Sequence, residues 1–126
     1  MTNESEMSGQ EPHAGLYGKV VGAVRTSDQL ESLVEALEQI GVSEIKVLQG
    51  ASGTQQLETW KETFSQYFFG DMELKMLKRY LDALAADFLV FTAAVESDQA
   101  DATAETAKAH EAIDIVYFGN SAVTNY

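Results

Sequence analysis

Two stretches of the chain carry apolar residues on both parities. They are Lys19-Val20-Val21-Gly22-Ala23-Val24 and Phe88 to Val95. A strand with one wet face alternates, so these two read as strands of a sheet covered on both faces. After the first, the period changes to that of a helix. Leu30, Leu33, Val34, Leu37 and Ile40 share one face, and Gly41 stands where a left-handed stop is wanted. Thr26 or Ser27 can cap this helix, and Thr26 with Gln29 fits a capping box. Ile45 to Leu48 form a second strand. Leu57, Trp60, Phe64, Tyr67 and Phe68 then recur at helical spacing as an aromatic-rich stripe, and Phe69-Gly70-Asp71 breaks it. A further helix, from about Asp71 to Ala86, aligns Leu74, Leu77, Leu81 and Leu84. A last helix, about Asp98 to Ala112, is dominated by Ala100, Ala104, Ala107 and their neighbours, whose small side chains let it lie close to a sheet. Gly50-Ala51-Ser52-Gly53-Thr54 reads as a loop with Thr54 as N-cap. It lacks the Lys-Ser/Thr ending of a phosphate-binding P-loop.

The pattern is repeated. Ala-Val-Arg-Thr-Ser-Asp-Gln at 23–29 returns as Ala-Val-Glu-Ser-Asp-Gln at 94–99. Each copy leads through a helix to an apolar return ending in glycine, Ile45 to Gly50 and Ile115 to Gly119. From Ser27 to Gly50 is 23 positions and from Ser97 to Gly119 is 22. Two matched strand–helix–strand units imply a duplicated α+β fold. Two helices between the units bring the chain back to the end where it began, so the third strand should run antiparallel to the first. The fold class expected is therefore α+β: a ferredoxin-like split β-α-β duplication with an antiparallel four-stranded sheet and a two-helix insertion between strands 2 and 3. A small doubly wound parallel sheet is the alternative. Both sheet faces are apolar, so the second face needs a cover. It is either the Trp60/Phe64/Tyr67 hairpin or another copy of the chain, and we expect a homodimer.

The chain has 126 residues, the size of one domain. Residues 1–15 carry Glu4, Glu6 and Glu11 with few large apolar groups, and read as a flexible acidic tail before a single domain over 16–126. Cysteine is absent, which removes disulfides, thiolate metal sites and cysteine nucleophiles. No apolar stretch approaches the ~20 residues of a membrane span. The cytoplasm is the expected location. Acidic residues number 20 against 8 basic, a net charge of −12. Such a surface repels nucleic acid and anionic membranes and favours solubility, a basic partner or weak divalent-cation binding. Glu31, Glu35 and Glu38 line the outer side of the first helix, either as a solvated face or as a partner surface.

Candidate chemistry is sparse. His110 has no Cys, His or acidic partner at ligand spacing, His13 sits in the tail, and no metal or cofactor is expected. Lys75, Lys78 and Arg79 form a basic cluster, with Asp82 placed to pair with Lys78. A ligand pocket between sheet and hairpin would be lined by Trp60, Tyr67 and Tyr80, with Lys78 or Arg79 meeting an anion.

Lys19 to Gly50 and the closing Ile113-Asp114-Ile115-Val116-Tyr117-Phe118-Gly119 resemble small bacterial proteins related to heat-induced general stress proteins. The resemblance spans most of residues 17–119. Its motifs are structural and bring no catalytic residues, and Asn120-Ser121-Ala122-Val123 departs from the family's ending. It implies a non-enzymatic stress-associated or regulatory domain acting through self-association and protein contacts. A small-molecule sensor using the hairpin pocket is the alternative. An enzyme ranks third, because catalysis needs converging groups that the spacing does not supply.

Overall fold

A computed structural model of the protein describes residues 18–66, 71–119 and 123–126, leaving aside the side chains of 63–66 and 71–73. The acidic tail, the end of the aromatic stripe from Tyr67 on, and the side chain of Phe64 lie outside the described residues. Element order is β1 (Lys19–Val24), α1 (Ser27–Gln39), β2 (Ile45–Leu48), α2 (Gly50–Gln66), α3 (Asp71–Ala85) and β3 (Leu89–Ala94). A 3-10 turn (Ser97–Gln99) follows, then α4 (Ala100–Ala109), β4 (Ile113–Phe118) and β5 (Val123–Asn125).

The strands form one sheet in the order β2-β3-β1-β4-β5. Every neighbouring pair is antiparallel, and Val21 stands opposite Thr92 on one side and Val116 on the other. The helical pair between β2 and β3 reverses the chain as the parity of its crossings requires. The parallel alternative is not what forms. The described sheet has five strands where the sequence led us to expect four. β5 is three residues long, too short for alternation to reveal it.

Helices cover both faces. On one side α1 and α4 bury Leu30, Leu33, Leu37, Ala104 and Ala107 against Val20, Val24, Phe91 and Ile115. On the other, α2 and α3 bury Leu57, Trp60, Leu77, Tyr80 and Leu84 against Val21, Ala23, Val90 and Val116. Each fully buried Leu or Val contributes roughly 1.5–3 kcal/mol from area removed from water. The chain's own hairpin thus supplies the cover for the second sheet face, and no second copy is needed for it.

Two local expectations change. Gly50 to Thr54 is not a loop but the first turns of α2, and Thr54 caps nothing: its hydroxyl donates back to Gly50 O at 3.1 Å within the helix. Gly53 serves packing, since a Cβ there would sit 3.0 Å from the carbonyl carbon of Leu48, whereas Gly50 supplies a positive φ of 62°. At α1, Thr26 Oγ1 accepts from Gln29 N at 3.1 Å as expected. The Gln29 side chain, however, reaches past the cap and accepts from Arg25 N at 3.0 Å.

Candidate functional site

The residues singled out for a ligand pocket are dispersed by the fold. Trp60 and Tyr80 are buried in the core under the hairpin. Lys78 faces outward on α3, and Tyr67 lies outside the described residues. Arg79 and Tyr80, adjacent on α3, converge on one residue of β4. Arg79 Nη1 reaches Asp114 Oδ1 at 3.1 Å, while the Tyr80 hydroxyl donates to Asp114 O at 2.7 Å, with Val21 O at 3.4 Å. Arg79 therefore pairs across to the sheet. Asp114 has φ of 53°, a left-handed conformation that costs a non-glycine residue on the order of 1 kcal/mol. It sits where the β1–β4 register shifts between Val21 and Ala23. Burial pushes the Tyr80 hydroxyl well above the ordinary tyrosine range, the Asp114 carboxylate adds to this, and Arg79 opposes it. The trio anchors a bulge. Beside it Arg79, Asp114, Asn125 and Tyr126 line a cleft of about 350 Å³.

A different surface combines exposed apolar groups with concentrated charge. β2 is an outer strand of the sheet, paired only to β3 among the described residues. Its side chains alternate: Leu48 enters the core beneath the hairpin, and Val47 projects to the α1 side, where it is 41% exposed. Over that side lies α1, because β1 and β2 flank β3 and the crossover must span them. Leu30, Val34 and Val47 form the floor of a groove of about 460 Å³, and Glu31, Glu35 and Glu38 form its rim. All three glutamates are exposed.

The groove joins an apolar floor, an anionic rim and a strand edge unpaired among the described residues, and these suit different chemistries. The floor takes aliphatic surface, the rim takes ammonium or guanidinium groups, and the edge takes backbone N–H and C=O groups. The glutamate stripe was visible as i, i+4, i+7 spacing. What the sequence did not reveal is that β2 lies outermost, because strand order is set by β1 and β3 pairing at long range.

His110 ends α4, and its carbonyl accepts from Gln29 Nε2 at 2.7 Å, tying the two helices of that face together. Among the described residues, no group of three or more His, Cys, Asp or Glu is placed to hold a metal ion. No described helix is long and apolar enough to cross a membrane. No family model, curated protein or solved structure matches this chain.

Proposed function

We propose that this is a non-enzymatic regulatory domain that works through protein contacts, with the α1–β2 groove as its docking surface. The observation that supports this most is the meeting of a strand edge unpaired among the described residues with the rim of Glu31, Glu35 and Glu38. The occupant is an extended, basic segment of another protein that adds to β2. A strand advances ~6.6 Å every two residues and a helix rises ~6 Å over four. Alternate Lys or Arg side chains on the added strand therefore match the spacing of Glu31 and Glu35, and Glu38 stands three residues, ~4.5 Å, further along. Self-association at the same edge would bring two such glutamate stripes together and set Lys46 near its copy, both repulsive. Tyr80 and Arg79, two side chains with polar heads that could serve a site, instead hold the bulge at Asp114.

At the level of fold, the order β2-β3-β1-β4 with its two strand–helix–strand units is read as a ferredoxin-like duplication, extended by β5 and the helical hairpin. The stress-associated role rests on the resemblance of Lys19–Gly50 and Ile113–Gly119 alone.

The test uses fluorescence anisotropy with a labelled ten-residue peptide alternating Lys and Thr, and a Glu–Thr peptide of equal length as control. Saturable binding of the first alone is expected, weakening steeply with added salt. The double variant Glu35→Lys, Glu38→Lys should weaken it at least ~tenfold, about 1.4 kcal/mol. Reversal of distant acidic residues, Asp82→Lys with Asp87→Lys, should leave it within about twofold, a few tenths of a kcal/mol. Equal loss in both variants would mean that bulk charge alone is sensed, and would overturn the assignment.

A further inference from the structure

On the opposite face of the same sheet end, three polar residues stand on adjacent strands. Lys19 shares the parity of Val21 and Ala23, Lys46 that of Leu48, and Thr92 that of Val90, all residues of the hairpin-side core. In register Lys46 lies opposite Thr92, and Lys19 lies opposite Ala94, two residues further along β3. With Ser43 and Glu44 they line a cleft of about 340 Å³. That is the lower end of the size range of small-molecule sites.

Two features point to a ligand. Two of the chain's eight basic side chains line one cleft on a protein of net charge −12. Burial, and then the neighbouring Lys46, lower the Lys19 ammonium from its usual range, with Glu44 pulling the other way. Independently, Thr92 is 1% exposed, and its hydroxyl has no hydrogen-bond partner among the described residues. A buried hydroxyl lining a cleft beneath two lysines is a donor waiting for an acceptor.

We infer that this cleft binds a small dianionic oxyanion, a phosphate monoester or a dicarboxylate, between Lys19 and Lys46 with Thr92 donating from the floor. Two ammonium groups match a double negative charge, and the oxyanion removes their mutual repulsion. Glu44 on the rim opposes the anion itself but accepts from a ligand hydroxyl, which favours hydroxylated members of either class. The site is independent of the α1–β2 groove, because Lys46 and Val47 point to opposite faces of β2.

The full chain, labelled with nitrogen-15, is titrated with glycerol 3-phosphate and with succinate at ionic strength held constant with sodium chloride. Saturable amide shifts centred on Lys46, Thr92 and Ala94 with either compound support the site. The tighter of the two identifies the phosphate or the carboxylate source. Thr92→Val keeps the shape and burial of the side chain, and Lys46→Gln alters an exposed position, so both should fold. Each should weaken binding at least tenfold. Shifts that grow linearly, that spread over Lys75, Lys78 and Lys108, or that persist unchanged in both variants would overturn the assignment.

Discussion

Asp114 shows how one residue in an unfavourable conformation organises its surroundings. Its left-handed backbone aims its carbonyl at the Tyr80 hydroxyl and its carboxylate at Arg79. The two contacts should differ in weight. Tyr80→Phe leaves a buried carbonyl without its donor and should cost about 1–2 kcal/mol in urea unfolding. Asp114→Asn keeps a residue tolerant of positive φ and loses only an ion pair whose Arg79 side chain is 63% exposed. It should cost less than about 0.5 kcal/mol. Comparable losses in the two variants would contradict this ranking. At the chain's last described residue, the Tyr126 hydroxyl donates to Asp101 Oδ1 at 2.7 Å. Burial, then that hydrogen bond and the surrounding negative charge, push its pKa up to about 12. The folded value lies above the ordinary 10.0, so this contribution to stability is fully present below pH 10 and is lost as pH rises through about 12. The difference between the tyrosinate absorbance titrations of the native chain and Tyr126→Phe should show a phenol ionising near 12. Ionisation at the ordinary value would mean that the contact is not made. None of these contacts was legible in the sequence. Arg79 and Tyr80 looked like pocket residues because nothing local to α3 reveals that a bulge in β4 awaits them.

At the scale of elements, local pattern and repetition carried far. The repeated Ser-Asp-Gln opens a helical segment in both units, and in each its glutamine folds back on the chain just before the helix. Gln29 Oε1 accepts from Arg25 N, one residue before the N-cap Thr26, and Gln99 Oε1 accepts from the N of the N-cap Glu96 itself, closing a capping box. The alanine-rich helix lies against the sheet through Ala100, Ala104 and Ala107, as its small side chains require. Its regular part starts only at Ala100, after the 3-10 turn Ser97–Gln99. The start of α2 was misjudged for a physical reason: Gly50 and Gly53 resemble loop residues, yet glycine at 53 is set by contact with Leu48, a long-range fact. The hairpin is integral to the core. Leu77→Ala should therefore cost about 2–5 kcal/mol, in one cooperative transition followed by both far-ultraviolet dichroism and Trp60 fluorescence. An early Trp60 transition separate from loss of secondary structure would mean that α2 and α3 are a detachable layer.

For the whole molecule, the double-sided greasiness of β1 and β3 is satisfied within one chain, by α1 and α4 on one face and by the hairpin on the other. The expected homodimer was to use the hairpin or the sheet face, and the hairpin covers that face within one chain. With the acidic stripe and Lys46 at the open edge, we expect a mass of 13.8 kDa by sedimentation equilibrium at tens of micromolar, and twice that would restore self-association. Strand order was legible only in part. Parity of the crossovers fixed the antiparallel sense, but it did not reveal the fifth strand or which edge stays open. The proposed docking function depends on that edge, which is unpaired among the described residues, and amide hydrogen exchange across β2 probes it most directly. In the free chain, the amides of Ile45–Leu48 that point away from β3 should exchange fast at every protein concentration, while those of β1 exchange slowly. Saturating Lys–Thr peptide should slow the β2 amides and leave β1 as it was. Outward β2 amides already protected in the free chain, or still fast with the peptide bound, would contradict a docking edge at β2.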